Sequence, residues 1–181
     1  MKPRFAVITL MIVSCALARL IPHPWNFTPV AAMALFGGAR FSNKFHALWI
    51  TFGALLISDL IIGFYTRMPV VYAAFGVIVA IGFWLRGKKG AGTVFGAVLV
   101  SSVSFFIITN VGVWAFGSLY PKTGQGLLTC LTMALPFFRN ALLGDIFFST
   151  LLFGSFWLAE KKFPILRDRA AGWKPVTVRG F

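Results

Sequence analysis

The side chains best suited to chemistry are four charged residues set in apolar surroundings: Arg19, Asp59, Arg139 and Asp145. The last two belong to Pro136-Phe-Phe-Arg-Asn-Ala-Leu-Leu-Gly-Asp145, inside an apolar run that continues through Phe147, Phe148 and Leu151 to Trp157. A charge at bilayer depth costs about 2.5–3.5 kcal/mol on insertion scales, so it needs a partner or a polar cavity. Arg139 and Asp145 are six residues apart, which on one helix separates them by about 120° and about 9 Å. They are poorly placed to pair with each other, and each must look to another helix.

Further polar and aromatic groups accompany these four: His23, Trp25, Asn26, Asn110, Trp114 and Asn140. Together the ten form a binding set rather than a catalytic one. Arginines pair with carboxylate or phosphate, Asp and Asn exchange hydrogen bonds, and Trp25 and Trp114 offer ring faces for stacking. A structural role competes at each position. Intramembrane Arg–Asp pairs lock helices, asparagines bond neighbouring backbones, and Trp residues at one level form an ordinary aromatic belt. His23, between two prolines, fits a loop or interface residue better than a ligand.

Enzyme signatures are absent. The chain has no HExxH, CxxC, Walker A or dinucleotide fingerprint, and no Ser/His/Asp set with triad spacing. Cys15 and Cys130 stand alone and read as small apolar residues. No metal or cofactor is expected, and the chain is not expected to be an enzyme.

The elements that must position these residues are membrane helices. Of the 181 residues, 59% are hydrophobic and 12% charged, with a mean hydropathy of +0.86, too apolar for an ordinary soluble domain. Phe5 to Ile21 reads as a first helix, retained rather than cleaved, and Pro22-His-Pro-Trp ends it. Thr28 and Pro29 open a second, to Arg40, which is too short to span upright. Its Ala31, Ala34, Gly37 and Gly38 suit packing inside a bundle. Phe45–Phe64, Pro69–Leu85 and Ala91–Gly117 follow, the last opening on the close-packing spacing Gly92-x-x-x-Gly96. Tyr120-Pro-Lys-Thr-Gly reads as a turn, Gln125–Leu135 as a short interfacial or re-entrant helix, and Phe137–Ala159 as the last span. The fold expected is all-α and integral to the membrane, with six transmembrane helices. Residues 1–160 form a single domain and 161–181 a basic tail.

The net charge of +13 would suggest nucleic acid in a soluble protein. In a membrane chain it reads as topology and contact with lipid, with no nucleic acid. With six spans, Lys2, Arg4, Arg40, Lys44, Arg86, Lys88, Lys89 and the six bases from Lys161 to Arg179 share one side, 13 of the 17 Lys and Arg. The positive-inside rule puts that side, and both termini, in the cytoplasm. The ten candidate residues then gather toward the outer half.

A resemblance joins this reading. Arg19-Leu-Ile-Pro-His-Pro-Trp-Asn-Phe-Thr-Pro-Val-Ala-Ala-Met-Ala-Leu-Phe-Gly-Gly38, Ser58-Asp-Leu-Ile-Ile-Gly-Phe64, Thr109-Asn-Val-Gly-Val-Trp114, Tyr120-Pro-Lys-Thr123 and Pro136 to Asp145 resemble, in order, an uncharacterised family of small bacterial membrane proteins. More distantly the chain resembles the six-helix S components of energy-coupling factor transporters. That likeness implies an S-component-like bundle in the bacterial inner membrane. It would capture a small solute, such as a vitamin or cofactor precursor, from the outer side and hand it to an energising transporter module. Where many S components carry Ala-x-x-x-Ala, this chain has Ser14-x-x-x-Ala18. The alternative from a different class is an accessory subunit packed among other membrane subunits.

Overall fold

Among the described residues there are six α-helices: α1 (Pro3–Ala18), α2 (Val30–Arg40), α3 (Lys44–Ile62), α4 (Met68–Leu85), α5 (Ala91–Phe116) and α6 (Gly124–Lys162). A 3-10 turn at Pro164–Leu166 follows, and no strand occurs among the described residues. The structure is a computed structural model that describes residues 3–88 and 90–167. Lys2, Lys89 and the basic tail from 168 on, with Arg169, Lys174 and Arg179, lie outside the described residues.

Of the six expected spans, α3, α4, α5 and α6 are long and apolar enough to cross a membrane, whereas α1 and α2 are shorter. The 11 residues of α2 reach about 16 Å, and the helix is buried from Val30 through Gly38. It packs against all five other helices. Small residues make this geometry available. A Cβ on Gly82 would come within 2.6 Å of the Leu35 carbonyl oxygen and 2.8 Å of Gly38 Cα, so α2 and α4 touch backbone to backbone there. Beyond this contact, Phe36 meets Phe153 and Phe156 of α6 edge-on. The Gly92-x-x-x-Gly96 spacing is not used in this way: a Cβ on either glycine would meet nothing within 4 Å.

One expected boundary is absent. Pro136 lies inside α6, which runs unbroken for 39 residues, so Gln125–Leu135 is not a separate helix. A proline inside a helix forfeits one backbone bond, whereas a break leaves several N–H and C=O groups unpaired. Where the neighbours are apolar, the continuous helix is the lesser cost. The turn before it is as expected: Thr123 caps α6, its Oγ1 accepting from the Gly126 N–H at 3.1 Å.

The start of α1 and the end of α6 share one end of the bundle. Arg4 Nη1 lies 2.5 Å from Glu160 Oε1 and donates to the Leu166 carbonyl at 2.6 Å, while Nη2 donates to the Arg40 carbonyl at 3.2 Å. Arg86 Nε donates to the Gly38 carbonyl at 2.8 Å. Lys44, Lys88, Lys161, Lys162 and Arg167 join this basic end, and several lie over aromatic rings, as Lys161 does over Trp157. Arg19, Arg67, Lys122 and Arg139 lie at or toward the other end. The flanks are apolar and exposed, with Leu10, Trp49, Ile57, Trp84, Val100 and Phe147 among the large side chains outside the core.

Candidate functional site

One cavity of the protein begins with a turn. The Phe27 N–H donates to the Pro24 carbonyl at 3.0 Å, and Asn26 has a φ of 62°. A positive φ at the third position of such a turn favours Gly or Asn, and Asn26 meets that demand. Asn140 Nδ2 on α6 donates to the Trp25 carbonyl at 3.3 Å and holds the turn in place. Gly144 allows the next residues to lie flat on α6, since a Cβ there would sit 3.2 Å from Phe27 Cα and from the Thr28 nitrogen. The chain then enters α2 beside Asp145.

Two helical stripes form the walls. On α5 they are Ser102, Phe105, Phe106, Thr109 and Asn110; on α6, Ala134, Phe137, Phe138, Ala141 and Asp145. Both sets follow the spacing of one helix face. With Asn26, Thr28, Val30 and Ala31 they line a partly enclosed cavity of about 220 Å³. Asp145 is only 6% exposed, and its Oδ2 accepts from Ser102 Oγ at 2.7 Å. Phe106 and Phe138 meet at 4.7 Å between ring centroids. Higher up, Cys130 Sγ donates to the Asn110 carbonyl at 3.5 Å.

A second polar cluster is closed. Arg19, just past α1, donates through Nη2 to Asp59 Oδ1 at 2.7 Å and through Nη1 to Ser58 Oγ. Asp59 is fully buried. Its Oδ2 and the Tyr72 hydroxyl are both buried in this cluster. Tyr65, in the loop after α3, feels the same group: burial, then the Asp59 carboxylate, push its hydroxyl pKa above the usual value.

The ten expected residues therefore separate. Asn26, Asn110 and Asp145 line the cavity, and Asn140 braces its rim. Arg19 and Asp59 pair with each other instead. His23 is exposed, with Nδ1 2.6 Å from the Ile21 carbonyl, and Trp25 is 83% exposed. Trp114 Nε1 donates to the Pro121 carbonyl at 2.9 Å and fastens the α5–α6 turn. Arg139 is exposed on α6 and has no ion-pair partner among the described residues. Neither arginine lines the cavity. Ser102, Thr28, Thr109 and the four phenylalanines belong to it without having stood among the ten. Their signal was phase: on α5, positions 102, 105, 106 and 109 fall on one face with Asn110 beside it. Among the described residues no group of three His, Cys, Asp or Glu could hold a metal ion.

A family model described as a family of unknown function, DUF6580, matches residues 1–166. The chain belongs to that family. The DUF6580 match covers all six helices and with them every residue of the cavity and of the Arg19–Asp59 cluster. No curated protein and no solved structure matches the chain, and the likeness to S components finds no support there.

Proposed function

We propose that the protein is a multi-pass membrane protein that binds a small solute in the cavity between α2, α5 and α6. Four long apolar helices and flanks rich in exposed large side chains support the membrane setting, since soluble monomers rarely expose broad apolar surface. The basic end faces the cytoplasm under the positive-inside rule, which leaves the cavity toward the outer side of a bacterial inner membrane. The observation that carries the reading is Asp145, a carboxylate lining a small cavity in the middle of an apolar bundle. Intramembrane acids of this kind mark solute or ion sites by default. Capture for uptake, with a separate energising module, extends this reading in the direction of the S-component likeness.

Native mass spectrometry of the purified protein tests it. The expected result is a retained small molecule that is lost from Ala141→Trp, in which an indole fills the cavity. Identical spectra without any bound molecule for both proteins would count against solute binding. The Arg19–Asp59–Ser58 cluster favours a second reading, an accessory subunit with its charges locked internally. Stoichiometric co-purification of another membrane protein, with the cavity empty, would select that one.

A further inference from the structure

The hydrogen-bond inventory of the cavity is lopsided. Asn110 Nδ2 donates to the Phe106 carbonyl at 2.8 Å. A carbonyl bonds only to the nitrogen side of an amide, so the orientation is fixed and Oδ1 is left as an acceptor. Thr109 Oγ1 spends its single proton on the Phe105 carbonyl at 2.7 Å, leaving lone pairs. Ser102 Oγ is within reach of both the Val98 carbonyl and Asp145 Oδ2, so its one proton is also committed. Asp145 contributes a carboxylate. Along the α5 and α6 walls, the polar atoms left for a guest are mostly acceptors, the second Asn110 Nδ2 proton being the exception.

The charge is lopsided in the same sense. Among the described residues, Asp145 is the one ionisable group lining the cavity. Of the basic residues toward this end, Arg19 is held by Asp59 and Ser58, Lys122 donates to the Trp114 and Gly117 carbonyls, and Arg67 and Arg139 do not line the cavity. The opposing contribution is the start of α2, where Pro29 offers no side-chain cap. A helix N-terminus amounts to about half a positive charge, so an ionised Asp145 leaves the floor net negative. A buried carboxylate lacking a counter-charge is costly, so it takes up a proton unless a cation joins it. Four phenylalanines complete the walls, and ring faces attract cations most strongly where water is excluded.

We infer that the cavity takes a small organic cation, a protonated amine carried on an apolar or aromatic body, with its ammonium on Asp145 and its body among Phe105, Phe106, Phe137 and Phe138. This rests on the solute-binding reading and names its ligand class. It differs from what the arginines suggested in the sequence, an anionic solute, because neither arginine reaches the cavity. The size agrees: about 220 Å³ falls below the roughly 300–1,000 Å³ of sites for drug-sized ligands.

The test uses three probes of similar shape and different charge on the purified full-length protein in mild detergent: 2-phenylethylamine, 2-phenylethanol and 3-phenylpropionate. Binding is read as saturable protection against thermal unfolding at constant ionic strength. The amine should bind on the order of tenfold more tightly than the alcohol, and the acid most weakly. Asp145→Asn, which keeps an acceptor for Ser102, should erase the preference for the amine. Asn110→Leu should weaken the amine in a protein whose Asp145 is untouched, which covers the case where Asp145→Asn does not fold. Equal or tighter binding of the acid or the alcohol overturns the cationic class and leaves solute binding standing. Undiminished preference for the amine in Asp145→Asn overturns it as well. Absence of saturable protection by all three probes also overturns it, and the retained-molecule experiment then decides the solute reading separately.

Discussion

Replacing Asp59 by Leu should be among the most damaging single changes in the protein, and replacing its partner at the same time should undo much of the damage. The Asp59 side chain is fully buried, and that of Arg19 is 10% exposed, with 2.7 Å between Nη2 and Oδ1. Removing the carboxylate strands a guanidinium whose remaining contact is the Ser58 hydroxyl. Breaking a buried pair from one side costs about 3–5 kcal/mol, because a charge is left in a medium that cannot solvate it. Replacing both members with apolar residues of similar size is often near neutral, since the desolvation of two ions is removed along with their attraction. The four proteins of a cycle (wild type, Arg19→Met, Asp59→Leu and the double variant) can be unfolded by SDS titration from mild detergent. Each single variant should lose about 3–5 kcal/mol and the double variant no more than about 2. A double variant whose loss equals the sum of the two singles would show that the charges do not sense each other, and would refute the pairing.

Other outcomes follow from individual sites. Gly38→Ala should lower folded yield and stability sharply, because its Cβ would press on the α4 backbone near Val79 and Gly82. Gly53→Ala, with nothing within 4 Å of the added carbon, should be neutral or stabilising by up to about 1 kcal/mol. Chemical denaturation of the two variants side by side checks both. Tyr65 should ionise above the ordinary value of 10.0, through burial first and Asp59 second. The folded protein then holds this proton more tightly than the unfolded chain, so stability should fall as pH rises through 10 toward the folded value. Difference absorbance against Tyr65→Phe isolates that titration, and normal ionisation near 10 would contradict it. Reporter fusions after Arg67 and after Phe181 should give outside and inside signals respectively. An outside signal at the C-terminus would overturn the orientation.

Much of this architecture could be read before any coordinates, because its causes are local. Helix ends were marked by Pro22-His-Pro, by Arg86-Gly-Lys-Lys and by the Tyr120 turn. The small residues of α2 announced burial. The need of Arg19 or Arg139 for an acid on another helix followed from the cost of an isolated charge, and Arg19 meets Asp59. What could not be read depends on rotation about the helix axis. In a chain whose surface is as apolar as its core, Phe105 and Phe138 look the same whether they face lipid, a neighbour or a cavity. Pro136 misled for a related reason: its breaking tendency belongs to chains whose freed backbone groups can turn to water. The placement of Arg139 outside the cavity needed the same missing phase, since one step along α6 moves a side chain by about 100°.

The burial of α2 also orders events during synthesis. Its 11 residues are too short to settle across a bilayer core of about 30 Å unaided. Phe36, at its centre, rests against Phe153 and Phe156, which leave the ribosome more than a hundred residues later. Until then the segment lacks the α6 side of its socket. The packing around Phe36 is therefore completed only when the final helix docks. A chain that stops before α6 seats the second helix against α4 but leaves Phe36 without the two rings that cover it.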